Sequence, residues 1–155
     1  MTCLPDDEDN IRGVGPQAVM EQVGTRTDAS ESVRRLTVVV ADDDAAVRHL
    51  MSRVLTRAGF RVLEAPDGRE ALRLAQAEAA DLVITDLVMP EQDNIETIGM
   101  LAKLEPRPAI IAISGAFGGT MLRAASALGA ATALQKPFSA NELLRAVGSA
   151  LASAP

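Results

Sequence analysis

The sequence predicts a doubly wound α/β domain built on one five-stranded parallel sheet. Two observations predict it. From Leu36 onward, short runs rich in branched apolar residues alternate with longer segments of helical periodicity, strand first, until Ala152. Three of the runs, "LTVVVA", "DLVITD" and "AIIAIS", are apolar almost throughout, as central strands covered on both faces are.

The elements follow in order. "LTVVVA" (36–41) is the first strand. The first helix carries Val47, Leu50, Met51, Val54, Leu55 and Ala58 at core spacing, and Gly59 stops it. "RVLEA" (61–65) alternates, as an edge strand does. The second helix runs from Asp67 to about Ala79, and "DLVITD" (81–86) is the third strand. The third helix spans about Ile95 to Leu104, ended by Pro106 and Pro108. "AIIAIS" (109–114) is the fourth strand, and 119–128 the fourth helix, closed by Gly129. "TALQK" (132–136) is the fifth strand. "SANE", Ser139 to Glu142, is a capping box opening a helix with Leu143, Leu144, Val147 and Leu151 on one stripe.

Residues 1–35 lack this order. "PDDEDNIRGVGPQ" and "GTRTDASES" are Gly, Pro, Ser and acids, a composition that reads as a disordered tail, with "AVMEQV" (18–23) the one stretch suited to a helical turn. The expected organisation is a tail at 1–35, one domain at 36–152 and a short tail at 153–155.

Composition narrows the function. Of 155 residues 48% are hydrophobic, so the chain is globular. The net charge of −6 and the three Phe without Trp or Tyr argue against nucleic acid, which needs basic surfaces and stacking platforms. One cysteine, Cys3, allows no internal disulfide and suits a reducing compartment. The acidic start is no secretory signal, and no apolar run approaches the ~18 residues of a membrane span. The cytoplasm is the expected location, and no membrane partner is expected.

Open α/β sheets bind ligands beyond the carboxyl ends of their strands. Those ends are Asp42, Asp43 and Asp44 after strand one, Asp86 at strand three, Ser114 at strand four and Lys136 at strand five. Like carboxylates repel. Acids at one rim can share a divalent cation, and Mg²⁺ suits carboxylates, carbonyls and waters. Asp86 then stands as a nucleophile able to take phosphate as an acyl phosphate, with Lys136 and the Ser114 hydroxyl as its neighbours. Asp44 is the candidate cap of the first helix.

"VVVADDD", "DLVITDLVMPEQDNIE", "AISGAF" and "GAATALQKPF", in that order, resemble the receiver domain of two-component response regulators over Leu36 to Ala152. The resemblance implies a flavodoxin-like (βα)5 fold with strand order 2-1-3-4-5. It assigns Asp86 as phospho-acceptor, Asp43 as direct metal ligand and Asp42 as its companion acid. Val88 would offer a backbone carbonyl to the metal, Ser114 a hydroxyl to the phosphoryl group, and Lys136 its ammonium, with a cis bond to Pro137. It implies Mg²⁺ as cofactor and a histidine kinase or histidine phosphotransfer protein as donor. The output would be a downstream protein partner met through the fourth helix, fifth strand and fifth helix. The expected protein is a stand-alone receiver that catalyses only its own phosphorylation and dephosphorylation.

Two positions depart from the family. Asn94 stands where Gly is frequent, and Asn tolerates left-handed backbone. Ala133 stands where many receivers carry Tyr or Phe. Two rival functions differ in kind. An Asp-nucleophile phosphatase would need a second acid soon after Asp86, where Val88 stands. A phosphorylation-independent scaffold would not need Asp42, Asp43, Asp86, Ser114 and Lys136 together. His49 reads as an ordinary helix-surface or boundary histidine and Cys3 as an idle thiol. The Ala-rich stretch from Ala124 to Ala133 reads equally as tight packing or as a flat docking surface.

Overall fold

Each strand divides its side chains between two faces, and that division organises the molecule. A computed structural model describes residues 34–87, 94–115 and 118–153, side chains at 94 and 118–122 excepted. The elements are β1 (Thr37–Ala41), α1 (Ala45–Arg57), β2 (Arg61–Ala65), α2 (Gly68–Ala77) and β3 (Leu82–Asp86). They continue with α3 (Asn94–Leu101), β4 (Ala109–Ser114), α4 (Gly118–Leu128), β5 (Thr132–Gln135) and α5 (Ala140–Ala152). The sheet order is β2-β1-β3-β4-β5 with every pair parallel, as expected. The alternating "RVLEA" is indeed an edge strand.

Val38 and Val40 join one core with Met51 and Leu55 of α1 and Leu143 and Val147 of α5. Val39 and Ala41 join the other with Ala71 and Ala75 of α2 and Ile98 of α3. Each completely buried Leu or Ile contributes about 2 kcal/mol of transfer free energy. Because β1, β3 and β4 bury every residue, they read as apolar runs rather than alternations.

The capping signals are realised. Asp44 Oδ1 accepts the amides of Ala46 at 2.9 Å and Val47 at 3.3 Å. Ser139 and Glu142 form the reciprocal box on α5. α1 and α4 close on Gly59 (φ 101°) and Gly129 (φ 129°), with Phe60 N–H bonding Leu55 O and Ala130 N–H bonding Ala125 O. α2 closes by the same bond, Ala80 N–H to Ala75 O at 3.0 Å, but its left-handed residue is Ala79, at φ 50°.

Several boundaries and one face differ from expectation. Leu50 is 58% exposed, not core. It lies about 100° around α1 from Met51, beyond the stripe that faces the sheet. α3 ends at Leu101, and residues 102–104 continue as tight turns with Lys103 N–H to Met100 O and Leu104 N–H to Leu101 O. Leu36, Asp81 and Lys136 flank their strands rather than extend them. Asp67 caps α2, its side chain accepting from the Glu70 amide, so that helix starts at Gly68. Ahead of β1, Arg34 forks onto Asp81, which also accepts the Thr37 amide at 2.8 Å. The expectations for 1–33, "AVMEQV" and Cys3 included, lie outside the described residues, and so does Val88. No helix among the described residues is long and apolar enough to cross a membrane.

Candidate functional site

Parallel strands end on one side of the sheet, so strand-end residues converge there without further design. Asp42 follows β1 and is wholly buried; Asp86 ends β3 at 4% exposure; Ser114 ends β4, also wholly buried. Asp42, Asp43 and Asp86 each bring a carboxylate oxygen within 4.8 Å of the others'. Asp43 is the exposed member.

Lys136 closes the group. Its Nζ donates to Asp86 Oδ2 at 2.7 Å and to Asp42 Oδ2 at 3.0 Å. Its backbone N–H bonds the Ser114 carbonyl at 2.9 Å, which ties the residue after β5 to the end of β4. The aliphatic stem runs beside Gly115, where a Cβ would stand 3.6 Å from Lys136 Cδ. The Lys136–Pro137 bond is cis, as the resemblance implies.

The electrostatics follow from burial and count: three carboxylates against one ammonium. Burial raises the Asp42 pKa above the ordinary carboxylate value, and the charge of Asp86 adds to that. The Asp44 amide, bonded to Asp42 Oδ1 at 2.9 Å, and Lys136 pull the other way without prevailing. Burial opposes the charge of Lys136, but its bonds to Asp86 and Asp42 outweigh this and its pKa is raised. Such a donor set of hard oxygens suits a hard divalent cation, which would offset the surplus negative charge.

The structure therefore gathers Asp42, Asp43, Asp86 and Lys136 into one cluster and sets Ser114 on the same rim. Val88 lies outside the described residues. His49 stands apart, 62% exposed on its side chain, with Nδ1 2.7 Å from Glu64 Oε1, the ordinary surface role expected of it. In the Ala-rich stretch Ala125 and Ala130 are buried, in line with tight packing, whereas Ala124, Ala131 and Ala133 are exposed. One residue the sequence did not single out touches the cluster. Arg48 Nη1 donates to the Asp42 carbonyl at 2.7 Å and its Nε to Glu64 Oε1 at 3.1 Å. That link runs from α1 to two different strand ends, and nothing local in the sequence announces it.

A 2-1-3-4-5 parallel sheet whose carboxyl rim holds an acidic cluster and a lysine defines a receiver-type domain. The chain belongs to the response regulator receiver domain family, whose sequence model matches residues 38–148. It is 35% identical over 116 residues to the DNA-binding transcriptional regulator NtrC of Rhizobium meliloti, covering 75% of this chain and 24% of that one. It is 35% identical over 125 residues to the transcriptional regulatory protein PdtaR of Mycobacterium tuberculosis, covering 80% of this chain and 60% of that one. It is 32% identical over 111 residues to the chemotaxis protein CheY of Thermotoga maritima, covering 71% of this chain and 92% of that one. Thus the chain spans about a quarter of NtrC and less than two thirds of PdtaR. Among solved structures, Vibrio cholerae CheY4 matches with a TM-score of 0.70 at 28% identity, over 76% of this chain and 99% of that one.

Proposed function

We propose that this receiver domain takes a phosphoryl group onto Asp86 from a phosphohistidine donor and thereby changes its affinity for a protein partner. The observation that carries the reading is the Asp42–Asp43–Asp86 cluster bridged by Lys136. A carboxylate oxygen of Asp86 attacks phosphorus, the phosphorus–nitrogen bond of the donor breaks, and the imidazole leaves with that electron pair. Asp86 thus becomes an acyl phosphate, which water later hydrolyses.

The chain's own groups do most of this by placement. Lys136 holds Asp86 at 2.7 Å and is positioned to follow charge onto the phosphoryl oxygens. The Ser114 hydroxyl would donate to the phosphoryl group, as the resemblance implies. Asp43 and Asp86, with Asp42 behind them and the Val88 carbonyl as the resemblance implies, would hold Mg²⁺. Bound there, Mg²⁺ would neutralise charge shared between carboxylates and phosphoryl oxygens. No turnover of an external substrate is needed, and the absence of an acid at position 88 disfavours a phosphatase. A histidine kinase or histidine phosphotransfer protein is the donor class. The whole chain's net charge of −6 supports a protein rather than a nucleic acid as its direct partner.

The test is phosphate uptake. With Mg²⁺, the wild type should be labelled by acetyl phosphate and bind beryllofluoride, shifting amide resonances at residues 86, 114 and 136. Asp86→Asn should do neither, since an amide offers no anionic oxygen. Labelling of Asp86→Asn at the wild-type level would refute the assignment.

A further inference from the structure

We propose that Arg48 is a positioning residue for the acidic rim, gripping the Asp42 carbonyl and so fixing the peptide plane from which Asp43 projects. Among the described residues, Asp43 makes no hydrogen bond or ion pair through its side chain, although it is one of the three acids brought together. Its aim must therefore come from its backbone. The Asp42 carbonyl belongs to the planar unit that ends in the Asp43 nitrogen and Cα, so holding that oxygen holds the base of the Asp43 side chain.

Arg48 supplies that hold at 2.7 Å through Nη1, while Nε is anchored to Glu64 Oε1 at 3.1 Å. Its side chain is only 15% exposed. The Arg48 N–H also bonds Asp44 O at 2.9 Å, and the Asp44 N–H bonds Asp42 Oδ1 at 2.9 Å. The turn of residues 42–44 is thus held at its carbonyl, at a side chain and at the helix it enters. A rigid guanidinium fork can serve Asp42 and Glu64 at once, which a lysine ammonium cannot do with the same geometry. The positive charge itself contributes little at the rim, because the Glu64 carboxylate offsets it.

The proposal rests on the reading of Asp42, Asp43 and Asp86 as a cation site, and a Mg²⁺ titration separates the two. Amide shifts of the full chain are followed against Mg²⁺ for wild type, Arg48→Lys and Arg48→Ala, with circular dichroism reporting the fold. Both variants should bind Mg²⁺ on the order of 10-fold more weakly, the usual cost of losing a group that orients a ligand. In metal-free protein the Asp43 and Asp44 amides should already have moved. Were Arg48 acting through charge, Arg48→Lys would match the wild type and Arg48→Ala would bind more tightly. Either result overturns the proposal, as does loss of the folded state in Arg48→Lys, which would make Arg48 a stability residue. A wild type that does not bind Mg²⁺ at all removes the cation-site reading beneath it as well.

Discussion

Lys136 and Asp86 are joined by a 2.7 Å hydrogen bond between residues 50 apart in sequence, and the same ammonium reaches Asp42 at 3.0 Å. This ammonium bridges the two buried carboxylates of the cluster. Removing it takes the ammonium away from two buried carboxylates, which is far costlier than losing a surface pair. Lys136→Met keeps most of the stem and should lower metal-free stability by about 2 kcal/mol, less than a fully buried pair because Lys136 is 25% exposed. Millimolar Mg²⁺ should restore more stability to the variant than it adds to the wild type. Urea unfolding with and without Mg²⁺ measures both; a variant as stable as the wild type without metal contradicts the account.

Asp42 makes the opposite case. Its buried carboxyl has a raised pKa, so the folded state holds its proton more tightly than the unfolded chain does. Its charged form therefore costs stability above the raised folded value. That cost is relieved as pH falls through the folded value toward the ordinary one. Asp42→Asn should raise the metal-free Tm at pH 7 by about 2–5 °C, with Lys136 still bonded to Asp86. The advantage should shrink as pH falls through the raised Asp42 value, and Mg²⁺ should bind the variant more weakly. Thermal scans between pH 7 and pH 4 decide; a variant less stable than the wild type at pH 7 would show that Asp42 is net favourable.

These two residues also show what was legible beforehand. The strand ends were readable because an apolar run that stops at an acid or a lysine is a local signal. A parallel sheet then carries those ends to one rim without any contact having to be inferred. Arg48 was not readable, because its partners are the end of β1 and Glu64 in β2, and only folding brings them together. Periodicity fixes a stripe's centre better than its edge, and Leu50, at 58% exposure, lies just outside that edge. The early end of α3 was hidden likewise, since residues 102–104 keep an apolar rhythm while their bonds tighten to i→i+3 turns.

The end of α2 offers a test of backbone strain. Ala79 holds φ 50°, the place that Gly59 and Gly129 take after α1 and α4. An alanine there meets the steric cost of left-handed backbone that glycine avoids. Ala79→Gly should stabilise the domain by about 0.5–1 kcal/mol, the left-handed relief exceeding the added freedom of the unfolded chain. Chemical denaturation reads this directly. A destabilised Ala79→Gly would show that the unfolded-state entropy term prevails.

The change on phosphorylation should be concentrated away from β5. Ala133 pairs with Ala112 across the β4–β5 ladder and is exposed. It has no side-chain torsion that could carry bulk inward, whereas a Tyr or Phe there could bury on the order of 150–250 Å². At about 25 cal/mol per Å², even half of that area would be worth roughly 2–3 kcal/mol to one state over the other. Without it, the two states differ less in packing across β5, and the gap between them is smaller. Ser114, buried at the end of β4 and bonded through its carbonyl to Lys136, should still be drawn toward a new phosphoryl group. Ser114 also pairs with Gln135 of β5, but with Ala133 adding no change of packing there the displacement should show mainly beyond Gly115 and toward α4. Amide exchange should therefore differ between free and beryllofluoride-bound protein mainly over residues 115–128. The small gap also predicts that the free protein samples the active arrangement, visible as relaxation dispersion over the same residues. A rearrangement centred on residues 131–135, with 115–128 unchanged, would show that β5 carries the signal without an aromatic residue.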